Sequence, residues 1–124
     1  MTAILMVEDD APMAGLYGRA LAGQGHHVMI ATGNQKAIEI LQSSHIDLII
    51  LDMTLPDGPG TQLLDFLEAH PNLQQAIPVI ITTGFVRYLK QGERNPVVET
   101  LTKPVTPSQL IQSVSAALDN LREG

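Results

Sequence analysis

Four apolar runs of this chain end in residues that can do chemistry. Ile4-Leu5-Met6-Val7 leads into Glu8-Asp9-Asp10, and Leu48-Ile49-Ile50-Leu51 leads into Asp52. Val79-Ile80-Ile81 leads into Thr82-Thr83, and the weaker run Val97 to Leu101 leads into Thr102-Lys103-Pro104. Were these ends to meet, carboxylates, a hydroxyl and one ammonium would share a small volume. Carboxylates so placed repel, and one takes up a proton unless a cation intervenes. An all-oxygen ligand set without His or Cys suits a hard ion, Mg²⁺ first. A lone lysine beside it is a point charge fit to hold a phosphoryl oxygen. The chemistry is that of phosphoryl transfer, with Asp52 as nucleophile forming an acyl phosphate.

The elements between these runs decide whether they meet. Pro12 to Ala22 carries Met13, Leu16, Tyr17, Ala20 and Leu21 at helical spacing, with Gly23 as a stop. His27 to Ala31 reads as a second strand, Asn34 to Ser43 as a short amphipathic helix, and Asp47 to Leu51 as the most strand-like run. Met53 to Gly60 is dense in turn residues, and Thr61 to Ala69 is helical again. After the strand Val79 to Thr82, Phe85 to Gln91 suggests a short helix broken by Gly92 and Pro96. Thr106-Pro107 opens a last helix carrying Leu110, Val114, Ala117, Leu118 and Leu121. Strand and helix thus alternate five times, and near-continuous apolar strands imply a parallel sheet covered on both faces. In such sheets ligands bind beyond the carboxyl ends of the strands, where all four chemical stretches fall.

Composition narrows the classes further. The chain has 124 residues, 44% hydrophobic and 16% charged, which fits a single globular domain over 1–124 without a linker. Cys is absent, which excludes disulfide scaffolds, thiolate metal sites and a cysteine nucleophile. Seven basic against thirteen acidic residues, with no Trp, two Tyr and two Phe, argue against direct nucleic-acid or anionic-membrane binding. No apolar run approaches a membrane span and no basic n-region precedes Ile4, so a cytoplasmic location is expected.

The same stretches carry a resemblance. Ile4 to Asp10, Asp47 to Gly60, Pro78 to Gly84 and Thr102-Lys103-Pro104, in this order and spacing, resemble the receiver domain of two-component response regulators along nearly the whole chain. The resemblance implies a flavodoxin-like (βα)₅ fold with strand order 2-1-3-4-5. It implies that Asp52 accepts a phosphoryl group from a phosphohistidine of a sensor kinase or histidine phosphotransfer protein, and that the phosphorylated state regulates an output domain or downstream protein. Glu8 and Asp9 match the acidic pair that binds Mg²⁺, and Met53 the residue whose backbone carbonyl completes the metal site. Thr83 and Lys103 match the hydroxyl and the ammonium that contact the phosphoryl group. Gly60 matches the glycine where the loop enters its helix, and Pro104 a proline whose bond to the lysine is usually cis. The domain would be a phosphoacceptor rather than an enzyme, catalysing only its own phosphorylation and dephosphorylation. Thr54 and Phe85 match positions that tune water access, and the bulk of Phe85 suggests slow dephosphorylation.

Blander readings exist for each residue. The acids at 8–10 could open a helix as solvated turn residues, Asp52 could form a turn before Pro56, Thr83 could cap, and Lys103 could be a surface lysine. Thr82 competes with Thr83 for the hydroxyl role. His26, His27, His45 and His70 show no metal-ligand spacing, and Arg87, Lys90 and Arg94 fit a solvated face better than a docking patch. A haloacid-dehalogenase phosphatase would need a second aspartate at position 54, where Thr54 stands, and a flavodoxin would need a phosphate loop where Glu8-Asp9-Asp10 stands. A degenerate receiver that only binds partners is disfavoured by the joint presence of Asp52, Thr83 and Lys103. The sequence departs from the resemblance at Thr100, where an aromatic ring is common. Signalling by aromatic switching is therefore not expected, dimerisation through the face of Glu99 and Thr100 should be weak, and ordering of 85–96 or use of another face is expected instead.

Overall fold

A computed structural model describes residues 2–71, 77–84 and 96–123. Five strands form one parallel sheet: β1 (Ala3–Val7), β2 (His27–Ala31), β3 (Leu48–Asp52), β6 (Val79–Thr83) and β7 (Val97–Thr102). Their order is β2-β1-β3-β6-β7, which is the expected 2-1-3-4-5 counted over the sheet's own strands. The helices are α1 (Ala11–Ala22), α2 (Asn34–Ser43), α3 (Thr61–Ala69) and α4 (Pro107–Glu123). The helix expected at Phe85 to Gln91 lies outside the described residues, as do Arg87, Lys90 and Arg94.

The sequence of each strand follows from its place. β3 is central and all five of its residues are buried. Ile49 and Leu51 join a cluster with Leu41, Leu63 and Leu64 on one face, while Leu48 and Ile50 join Tyr17, Leu21, Leu110 and Val114 on the other. A strand covered on both sides must be apolar at every position rather than at alternate ones. β2 and β7 are the edges, and both tolerate polar residues: His27 on β2, Glu99 and Thr102 on β7 are exposed. Glu99, which weakened the reading of the last strand, is accommodated because an edge strand has one open side.

Helix ends show where sequence rules hold and where tertiary structure takes over. Asp10 caps α1 by accepting from the Met13 N–H at 3.1 Å. Thr106 and Gln109 form a reciprocal capping box on α4, at 3.1 and 2.8 Å. Gly23 does end α1, yet with right-handed backbone, and the positive φ falls two residues on, at Gly25 (93°).

The N-cap of α2 is Gly33, which has no side chain to offer. Asp57 serves instead from the loop after β3: its carboxylate accepts from the Asn34 N–H at 2.9 Å and the Gln35 N–H at 3.0 Å. These bonds hold the Asp57 carboxyl below its usual range. Asp57→Ala should lower unfolding free energy by about 1 kcal/mol, as loss of a side-chain cap does. A urea titration checks this, with Asp57→Asn retaining part of the loss.

The stretch from Met53 to Gly60 was expected to be a turn. It holds a miniature antiparallel hairpin, β4 (Thr54–Leu55) against β5 (Gly58–Pro59). Gly58 takes a φ of 133°, open in practice only to glycine.

Candidate functional site

The carboxyl ends of β1, β3, β6 and β7 bring the candidate residues to one edge. Glu8 follows β1 directly, Asp52 is the last residue of β3 and Thr83 the last of β6, and Lys103 follows β7. Glu8 and Asp52 are buried, while Asp9 is exposed. Glu8, Asp9 and Asp52 each present a carboxylate oxygen, all within 4.8 Å of one another. Lys103 Nζ lies 3.2 Å from Asp52 Oδ2 and 3.6 Å from Glu8 Oε1.

Backbone bonds hold these groups in place. The Lys103 N–H donates to the Thr83 carbonyl at 2.8 Å, tying the lysine to the end of β6. Strand register sets Thr82 beside Asp52 and Thr83 one residue further along. The Met53 N–H donates to the Thr82 carbonyl at 3.2 Å. The Met53 carbonyl accepts from the Gly60 N–H at 2.9 Å, and a carbonyl oxygen keeps a second lone pair for another partner. The Lys103–Pro104 peptide bond is cis.

Electrostatics show how crowded the site is. Burial, aided by the hydrogen bond and charge of Asp52, raises Glu8 from 4.5 to about 7, against the opposing pull of Lys103 and the Asp10 backbone. Burial would lower Lys103, but the charges of Asp52 and Glu8 outweigh it and raise the ammonium above its usual value. A buried carboxyl driven toward neutrality beside a second carboxylate marks a place short of positive charge. Three oxygen ligands and no nitrogen or sulfur among them fit a hard divalent cation.

Two residues matched in the sequence make contacts that the sequence does not show. The Thr54 N–H donates to Asp52 Oδ1 at 3.1 Å, so the loop orients the carboxylate it carries. Gly60 has an ordinary φ of −60°, so its absent side chain is explained by space. A Cβ there would lie 2.7 Å from the Asp52 carbonyl oxygen and 3.1 Å from Met53 Cα. Backbone must move to admit it, so Gly60→Ala should destabilise by about 1–3 kcal/mol and displace Asp52. Thermal unfolding checks the first effect, and the amide shifts of 52–54 the second.

Comparison with known proteins places the fold in a family. The family model for the response regulator receiver domain matches residues 4–115. The chain belongs to the response regulator receiver family. It is 31% identical over 118 residues to the transcriptional regulatory protein GlrR of Escherichia coli K12, covering 94% of this chain and 26% of that protein. It is 30% identical over 117 residues to the phosphate regulon transcriptional regulatory protein PhoB of the same organism, covering 93% and 51%. This receiver thus spans about a quarter and a half of those relatives. Among solved structures, a receiver domain protein (CheY-like) from Methanospirillum hungatei JF-1 superposes with a TM-score of 0.88 at 27% identity, over 100% of this chain and 99% of that one.

Membership establishes the flavodoxin-like fold and a role as a receiver in two-component signalling. Among the described residues no helix is long and apolar enough to cross a membrane. Phe85 lies outside the described residues. Thr100 lies on edge strand β7 opposite Ile81, its hydroxyl oxygen buried and without a hydrogen-bond partner among the described residues.

Proposed function

We propose that Asp52 is the phosphoacceptor of this receiver, that Lys103 and Thr83 hold the incoming phosphoryl group, and that Glu8, Asp9, Asp52 and the Met53 carbonyl bind Mg²⁺. The observation that carries this reading is the placement of Lys103 Nζ 3.2 Å from Asp52 Oδ2, beside three acids whose oxygens lie within 4.8 Å.

The donor is a phosphohistidine of a partner kinase or histidine phosphotransfer protein. A carboxylate oxygen of Asp52 attacks phosphorus of a phosphohistidine protonated on its other ring nitrogen, the P–N bond breaks with its electron pair going to nitrogen, and the imidazole leaves neutral. Lys103 already faces Asp52 Oδ2, so its ammonium can follow negative charge from the carboxylate to the phosphoryl oxygens. The Thr54 N–H keeps Asp52 Oδ1 fixed, leaving the other oxygen to act as nucleophile. Bound Mg²⁺ supplies charge neutralisation for a phosphoryl dianion entering a cluster of carboxylates. Water later attacks phosphorus, the Asp52 carboxylate leaves, and inorganic phosphate is released. That slow hydrolysis is the domain's only turnover.

Phosphorylation adds roughly 1.5 to 2 negative charges at the strand edge and biases nearby loops between two states. In the whole protein this controls an output domain or a downstream partner in the cytoplasm, with no direct contribution of the receiver to nucleic-acid binding. Borohydride trapping tests the assignment. After acetyl phosphate and Mg²⁺, reduction should convert residue 52 to homoserine. Conversion at Asp9 or Asp10 would overturn it.

A further inference from the structure

Tyr17 stands in the sequence as one of several apolar positions of α1, yet its hydroxyl has a specific task in the fold. The side chain is 3% exposed and packs in the cluster of Met6, Leu21, Ile50, Val105 and Leu110. Phenylalanine would fill that cluster equally well. The phenol O–H instead donates to the Val105 carbonyl at 2.6 Å, a bond across 88 residues of chain. Burial pushes the phenol above its usual pKa, keeping it a donor.

Val105 lies two residues beyond Lys103. The segment between β7 and α4 is tied to the sheet by the Lys103 N–H on Thr83 and to α4 by the Thr106–Gln109 box. Pro104 between them has no N–H to give. The bond from Tyr17 joins the middle of this segment to α1, the helix capped by Asp10 immediately after Glu8 and Asp9. One helix thereby carries the acidic pair at its entrance and grips the lysine segment two turns on.

We propose that Tyr17 is a positioning residue for Lys103, setting the distance between its ammonium and the carboxylates of Glu8 and Asp52. The inference rests on the reading of Asp52 as phosphoacceptor for its kinetic consequence, though not for its geometric one. Without the hydroxyl, the Val105 carbonyl loses its partner in a buried setting and the segment shifts to recover one.

A double-mutant cycle tests it. Tyr17→Phe should slow acyl-phosphate formation from acetyl phosphate about five- to tenfold, as sub-ångström misplacement of a charge-stabilising group does. In a Lys103→Ala background the same substitution should change the rate by less than about twofold, since the group being positioned is gone. Thr106→Ala loosens the same segment from the helix side and should follow the same pattern, which covers the case that Tyr17→Phe folds poorly. An equal slowing in both backgrounds, or none in either, would overturn the proposal. The Lys103 ammonium signal in spectra of ¹⁵N-lysine-labelled protein without metal is independent of phosphorylation. It should move in Tyr17→Phe, and an unchanged signal sinks the inference. If wild type forms no adduct at Asp52 while that signal does move, the acceptor assignment fails and the positioning role stands.

Discussion

Asp52→Asn should abolish the phosphoryl adduct expected on the wild-type receiver after acetyl phosphate and Mg²⁺, lowering its yield by more than about a hundredfold. The amide is nearly isosteric, and its oxygen can still accept from the Thr54 N–H as Asp52 Oδ1 does at 3.1 Å. The fold should therefore survive. What disappears is the proposed anionic nucleophile and the charge that Lys103 faces at 3.2 Å. Intact-mass spectrometry of both proteins after equal exposure is the measurement. An adduct of normal yield on the variant would show that another carboxylate accepts the group. Beryllofluoride binding should be lost in parallel, since it needs the same oxygen.

The second large effect is on stability. Burial beside Asp52 raises Glu8 from 4.5 to about 7 in the folded, metal-free protein. Between these values the folded state holds a proton that the unfolded state has released. Folding stability then falls as pH rises through that window, and the full penalty is present above about 7. Glu8→Gln removes the titration. In the absence of Mg²⁺ the variant should be more stable than wild type at pH 8 by about 3 kcal/mol, the advantage shrinking to nothing as pH falls toward 4.5. Adding Mg²⁺ should reverse the order, because a ligand that binds only the folded wild type stabilises it by mass action. Denaturant titrations at several pH values, with and without metal, give both results. A wild type whose metal-free stability rises steadily from pH 5 to 8 relative to the variant would show that Glu8 is ionised in the fold, contrary to this account.

The legible part of this molecule is what depends on periodicity. β3 reads as four apolar residues, Leu48 to Leu51, because both of its faces are covered, and Asp52 closes it at the carboxyl end of the strand. Lys103, Thr83, Asp52 and Glu8 could be placed together from strand ends alone, since a parallel sheet gathers those ends on one edge. What stayed hidden depends on contacts between distant segments. Gly33 at the start of α2 signals a missing cap, but nothing local points to Asp57 as its supplier. Tyr17 looks like core until the Val105 carbonyl appears above it. Gly60 matches a family glycine in the sequence, but the reason for it, the Asp52 carbonyl oxygen 2.7 Å from where a Cβ would sit, does not show there. The hairpin at 54–59 is two residues per strand, too short for any alternation to register.

The bonds from Asp57 to α2 have a spectroscopic consequence. Asp57 sits at the far end of the short hairpin that begins two residues after Asp52, and it holds the Asn34 and Gln35 amides directly. A shift of the loop after β3 that moves Asp57 should change the length of both hydrogen bonds to the start of α2. Amide proton shifts respond steeply to such lengths, so the resonances of Asn34 and Gln35 form a native readout of the loop's state. They can be followed in a two-dimensional spectrum without a label placed near Asp52.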